Sequence, residues 1–410
     1  MRKLSSMPMA ALVILMLILT ACTGGGESPA ESAAASAGTE SQAPTESEPA
    51  ESAAASEAPT GLAACGDPES GDAFLVGGVT DVGQLEDKSF NEGGWCGTIA
   101  GATAIGGTAD VIVTEDPADY QNNMQTFIDQ GYNIIVTYGF ALGSDTAIAA
   151  KANPDVQFIG LDQSICVDEN GDPDPTFTCA GDAGELLPNY QGLVFNEAQA
   201  GYLAGIAAAN LSQTGVIGTI GGINTIPAVL SYIGGYVNGA KSVNPDIEVL
   251  VSYVSDDITT AFNDPTTGAS LAEQMIGQDA DVIFQVAGLS GQGALEAACD
   301  NDIYGIGVDV DQALALPDLD CIVTSAEKKL VEAVSEAIQR VADGSAVGGT
   351  LILDAAQDPP KVSVSEFHNH PDLLTADLQA ALDDATAALA SGELDACAGE
   401  GICGPPFEQD

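Results

Sequence analysis

Basic residues are what this 410-residue chain has least of: nine Lys and Arg stand against 60 Asp and Glu, a formal net charge of −51. A surface so short of cations repels polyanions. It excludes nucleic acid as a partner and argues against an anionic substrate unless a local cation is kept for it. Histidine is scarcer still. The two present, His368 and His370, form His-Asn-His late in the chain, without the metal-ligating partners a nuclease site would need. No GxSxG elbow or Walker A loop occurs, and the Gly-rich stretches at 218–223 (GTIGGI) and 288–293 (GLSGQG) lack the GxGxxG order of a dinucleotide site. No enzyme, cofactor or resident metal is expected. The acidic excess reads as a solvated surface suited to a salty or acidic exterior.

Aromatic residues are missing altogether from 23–64, a stretch of Ser, Ala, Glu, Pro, Gly and Thr that cannot bury enough surface to fold. It is expected to be a disordered tether, with a mean reach of roughly 35 Å as a flexible coil. Before it, Arg2 and Lys3 lead into the apolar run Ala10 to Leu19, closed by Leu19-Thr20-Ala21-Cys22. That is the pattern of a secretory signal, and the run is short for the alternative, a membrane span. The closing tetrad resembles the bacterial lipobox, which implies that residues 1–22 are a lipoprotein signal and that Cys22 carries a lipid anchor.

Of nine cysteines, eight remain if Cys22 is acylated, an even number that favours disulfides outside the cytoplasm over metal or catalysis. Sequence alone does not fix their pairing. Joining nearest neighbours gives Cys65–Cys96, Cys166–Cys179, Cys299–Cys321 and Cys397–Cys403.

After the tether, short apolar runs recur at intervals too long for hairpins: Phe74 to Val79, Val111 to Thr114, Ile134 to Tyr138, Val156 to Leu161 and Gly192 to Phe195. Helical segments lie between them, as at 117–130, where Tyr120, Met124 and Phe127 share a face. A second series follows at Val216 to Ile220, Val249 to Val254, Val282 to Val286, Ile303 to Val308 and Cys321 to Thr324. Two consecutive βα series predict an α/β protein of two doubly wound parallel-sheet lobes, with a ligand cleft between them. Thr324-Ser325-Ala326-Glu327 matches a capping box and predicts a helix start there, which places Lys328 in the first helical turn against the macrodipole. A position so unfavourable points the lysine toward the cleft, beside Asp309. One further strand, Leu351 to Leu353, and a helical tail from Leu373 to Leu389 follow.

The loop DVGQLEDKSFN at 81–91 follows a buried strand and offers carboxylates, a lysine, a serine, an asparagine and an unshielded phenylalanine, so it is a candidate binding loop. Carboxylates alternate at Asp168 to Asp174, suggesting calcium, but the glycine is misplaced for an EF-hand and Pro173 interrupts the run; a stapled, solvated loop is the simpler reading.

Several ordered motifs add to this: DVGQLEDKSFN at 81–91, GLVFNEAQAGYLAG at 192–205, FND at 262–264, AGLSGQGALEAA at 287–298, GIGVDVDQ at 305–312 and TSAEK at 324–328. Over about residues 73–365 the chain resembles the basic membrane protein family, the purine-nucleoside-binding lipoproteins of bacterial ABC transporters. The resemblance implies a type I periplasmic-binding-protein fold with three interlobe crossings, and lobes of 73–195 with 326–345 and of 196–325 with 346–366. It implies that Phe90 and Phe262 sandwich a purine, that Asp81 and Asn91 bond near its edge, and that Asp309 and Lys328 hold the ribose. Asp162 and the backbone near Gly288 would complete the pocket. Implied partners are a nucleoside and the permease and ATPase subunits of an importer, with a monomer held to the membrane only by its lipid. A receptor for a sugar or other small polar metabolite, or a ligand-sensing surface lipoprotein, is the alternative. Three stretches depart from the family pattern: a longer segment before Phe262, an inserted loop from Gln163 to Asp182, and the tail 367–410.

Overall fold

The computed structural model describes residues 65–66, 71 and 73–403. The expected signal, Cys22 and the whole of the expected tether lie outside the described residues. Twelve strands build the described chain: β1 (Leu75–Thr80), β2 (Thr108–Ile112), β3 (Ile134–Tyr138), β4 (Gln157–Leu161), β5 (Tyr190–Phe195), β6 (Val216–Gly221), β7 (Glu248–Tyr253), β8 (Val282–Val286), β9 (Tyr304–Asp309), β10 (Ile322–Lys328), β11 (Gly349–Leu353) and β12 (Val362–Val364). They form two six-stranded sheets, ordered β2-β1-β3-β4-β5-β11 and β7-β6-β8-β9-β10-β12. Pairing is parallel throughout, except that β12 runs antiparallel to β10. The interior strands read as unbroken apolar runs because helices cover both faces; every residue of β3 and β8 is buried.

Each sheet reverses its order between its first and third strands, β1 and β3 in one and β6 and β8 in the other. Loops leaving the carboxyl ends of strands diverge at such a switch point and leave a crevice. The chain passes between the sheets three times: from β5 to β6, from β10 to β11, and from β11 back to β12. The strand expected near 351–353 therefore does not join the second lobe. As β11 it pairs along its length with β5 of the first sheet, extending an apolar edge that the local sequence cannot reveal.

The expected helix start at Thr324 is also overturned. β10 continues through Lys328 because β9 pairs with it on one side and β12 on the other, and the helix begins only at Leu330, after a cap residue, Lys329, whose side chain makes no capping bond. Two flanking strands outweigh one local capping motif. The helix Leu330–Asp343 packs on Phe90–Ala104 of the first lobe, and the helix Glu197–Leu211, almost wholly buried, packs on Pro227–Val243 of the second.

All four nearest-neighbour disulfides are formed. The tail runs across the second lobe: His368 Nε2 lies 2.7 Å from Asp311, His370 Nε2 2.7 Å from the Asp320 carbonyl, and the helix Ala376–Ala390 buries Leu378, Leu382 and Leu389. In the inserted loop, Asp168 accepts amide hydrogen bonds from Asn170 and Asp172, and Asp174 accepts from Thr176, Thr178 and Cys179. These amides at Asp168, and the Thr176 hydroxyl together with the amides at Asp174, hold both carboxyls below the usual carboxylate range, as expected of a loop that spends its acids on itself.

Candidate binding cleft

Between the carboxyl edges of the two sheets lies a cleft lined by residues of both lobes, with about 660 Å³ of space between its walls, open solvent included. All eight side chains or backbone positions singled out from sequence, Asp81, Phe90, Asn91, Asp162, Phe262, Gly288, Asp309 and Lys328, line it. Each reaches it from a strand end or the loop just beyond. Asp81 follows β1, Asp162 follows β4, Asp309 ends β9 and Lys328 ends β10. Gly288 opens the helix after β8, and Phe262 caps the short helix Ile258–Ala261.

Lys328 is the cation at the centre, and the only Lys or Arg among the described residues in the cavity wall. It is 3% exposed. Its ammonium bonds Asp162, stands 3.4 Å from Glu197 Oε1 and 3.7 Å from Asp309 Oδ1, and lies over the Phe90 ring at 5.0 Å. Burial opposes its charge, but the three carboxylates outweigh burial and hold its pKa above the ordinary lysine value. Burial lifts the Glu197 carboxyl to about 8 against the pull of Lys328, and it also raises Asp162. Glu197 was missed in the sequence. A carboxylate in a run of Ala, Gly and Leu immediately after a strand was the available signal, because such a residue is buried and must find a partner.

Acceptors dominate the rest of the wall. Asp81 takes amide hydrogen bonds from Val82 at 2.6 Å and Ala141 at 3.2 Å, and burial nevertheless raises its carboxyl to about 7. Gly139 has φ +107° and lies against this carboxylate; an added Cβ would fall 2.0 Å from Oδ2, so only glycine fits. Asn91 spends its amide hydrogens on the carbonyls of Val82 and Gln84, leaving Oδ1 buried without a protein partner among the described residues. Asp162 Oδ1 is left in the same state. Asp87, a further lining residue, accepts amides from Ser89, Asn91 and Glu92, and burial lifts it to about 7.

The two phenylalanines belong to opposite lobes. Phe90 starts the helix of the binding loop. Phe262 lies so close to Gly222 that a Cβ there would come within 2.4 Å of its ring. Tyr232, also unforeseen, lines the same cavity and donates its hydroxyl to the Ala326 carbonyl at 3.2 Å. His368 and His370 do not line it. The arrangement presents aromatic faces, buried acceptors and one paired cation. It suits an uncharged ligand rich in hydrogen-bond donors.

A family profile described as "ABC transporter substrate-binding protein PnrA-like" (Bmp) matches residues 74–381. The chain belongs to the Bmp family. Among its relatives, the ABC transporter nucleoside-binding protein BmpA of Lactococcus lactis subsp. cremoris is 30% identical over 293 residues, covering 67% of this chain and 76% of its own. Basic membrane protein A of Borreliella burgdorferi is 28% identical over 316 residues, 76% of this chain and 84% of its own. Among solved structures, an ABC transporter solute-binding protein from Aeropyrum pernix K1 matches with a TM-score of 0.67 at 22% identity, covering 78% of this chain and 92% of its own. A solute-binding protein from Conexibacter woesei matches at 0.60 and 24% identity, covering 79% and 98%. These likenesses carry the fold, two α/β lobes of the type I periplasmic-binding architecture. Membership in the Bmp family makes the chain an ABC transporter substrate-binding protein. No helix among the described residues is long and apolar enough to cross a membrane.

Proposed function

We propose that this Bmp-family protein binds a purine nucleoside between its lobes and delivers it to the permease and ATPase subunits of an importer. The observation that carries the reading is the meeting in one cavity of Phe90 and Phe262, from opposite lobes, with the cluster of Lys328, Asp162 and Asp309. Aromatic faces stack a flat base. Ionised acids accept from ribose hydroxyls, and Asp81 with Asn91 accepts from the N–H groups of the base edge. The wall holds four aspartates and one cation that is already paired with acids, so no charge is left to hold a phosphate and a nucleoside fits better than a nucleotide. The name of the Lactococcus relative, a nucleoside-binding protein, supports the same ligand class.

In this reading the protein is a monomer that works by hinge closure without covalent chemistry, on the outer face of the membrane, held through a lipid on Cys22 and the tether 23–64. Its first lobe joins 73–195 with the helix Leu330–Asp343 and β11, and its second joins β6 to β10 with β12. Calorimetry with inosine, guanosine, adenosine and ribose tests it. Tight binding of one or more nucleosides and none of ribose is expected; ribose binding while every nucleoside fails would overturn the assignment of the aromatic pair.

A further inference from the structure

Two hydrogen bonds cross between the binding loop and the second lobe behind the cavity wall, one of them ending on the lining residue Asp309. The Ser89 hydroxyl donates to Asp309 Oδ2 at 2.7 Å, and the Gln312 side-chain amide donates to the Lys88 carbonyl at 2.9 Å. Neither Ser89 nor Gln312 lines the cavity, and both are fully buried. Each is held firmly on its own side. The Ser89 amide donates to Asp87, and its carbonyl accepts from Gly93. Gln312 Oε1 accepts from Gln285 and from the Val308 amide, while its backbone amide donates to Ser325.

Asp309, the acceptor of the first bond, has φ +66°, the left-handed region, and ends a strand of the second lobe. Its other oxygen, Oδ1, faces Lys328 at 3.7 Å. We propose that Ser89 is a positioning residue: from the first lobe its hydroxyl fixes the Asp309 carboxylate of the second, so that this acid reaches its ligand-binding orientation only when the lobes are closed, with the Gln312–Lys88 bond as companion clasp. The inference rests on the nucleoside reading of the cleft. The bond ties a buried hydroxyl to a buried carboxylate across the lobes, so its loss is felt by the closed, bound complex more than by the open protein.

A double-mutant cycle on the whole protein tests this, with stopped-flow fluorescence and calorimetry against whichever of inosine, guanosine, adenosine and ribose the wild type binds. Ser89→Ala should weaken binding by about tenfold or more, the loss of a charge-assisted hydrogen bond, chiefly through faster dissociation. In the Asp309→Asn background the same change should cost no more than about twofold, since the residue through which Ser89 acts is already altered. Equal losses in both backgrounds would overturn the proposal, because Ser89 would then serve only the loop. If Ser89→Ala does not fold, Ser89→Cys, near in size but a weak donor, enters the same cycle with the same two outcomes. Additive losses with nucleosides still bound refute the role of Ser89 alone; binding of ribose only sinks the nucleoside reading while the cycle still decides Ser89; no binding of any probe overturns both.

Discussion

The two lobes build the same turn twice and partner it differently. β4 and β9 are each the fourth strand of their sheet in that order, and each leads into an aspartate with left-handed backbone, Asp162 at φ +56° and Asp309 at φ +66°. Both lean on Lys328. Asp162 takes the ammonium in direct contact on one oxygen and leaves Oδ1 buried with no protein partner among the described residues. Asp309 stands farther from the lysine and gives an oxygen to Ser89 of the opposite lobe. Repetition of a fold thus supplies two equivalent acids. Their different partners leave one with a buried, unpartnered oxygen and tie the other to the opposite lobe.

The change that should break this comparison hardest is Lys328→Met. It leaves Asp162, Glu197 and Asp309 buried without their cation, and removing one partner of a buried ion pair costs about 3–5 kcal/mol. Melting should fall accordingly and nucleoside binding should vanish in calorimetry. Next come Phe90→Ala and Phe262→Ala, each expected to cost about 1–3 kcal/mol of binding, in line with base stacking on aromatic side chains. The folded state should survive both by circular dichroism, because each ring is only partly buried at the cleft. If only one of them matters, the ring stacks on one side alone.

Asp162→Asn set against Asp309→Asn then sharpens the contrast. Both should weaken binding, but Asp162→Asn by more, by about 1.5–3 kcal/mol, since Asp162 is in direct contact with the Lys328 ammonium and its second oxygen has no protein partner among the described residues. Equal effects would mean that the two acids share the ligand evenly.

The smallest effect concerns pH. Burial raises the folded-state pKa of Glu197 to about 8, above its unfolded value, so the folded protein holds this proton more tightly than the unfolded chain. The stabilisation is present below the unfolded pKa and is lost as pH rises through about 8. Glu197→Gln, which cannot ionise, should therefore gain in melting temperature relative to wild type as pH is raised from about 5 to about 9. A difference that stays flat across that range would show that Lys328 keeps the carboxylate ionised throughout.

What the sequence disclosed follows the range of the forces involved. Interior strands such as β3 and β8 were legible because burial on both faces leaves an apolar run that nothing local disguises. Asp81 was legible because it follows such a run. Lys328 was placed in the right cavity on the wrong element: Thr-Ser-Ala-Glu has the form of a capping box, yet β9 and β12 claim it as a strand. The pairing of β11 with β5 was hidden for the same reason, since an edge strand carries no mark of its partner. Glu197 and Tyr232 went unseen, and the loop serine Ser89 was noticed without its partner, because each contacts a group far along the chain, which one sequence without the fold cannot bring near.

The tail carries a practical consequence. Similarity to the Bmp family stops at residue 381, in the middle of the helix Ala376–Ala390. A chain trimmed there keeps Leu378 but loses Leu382 and Leu389, and with them the Cys397–Cys403 staple and the bonds from Asn238 to Ala396 and Gly401. An oily strip beside the Glu197–Leu211 helix would then face solvent and invite clumping. Anyone shortening this protein should run past Cys403, although the family profile ends sooner.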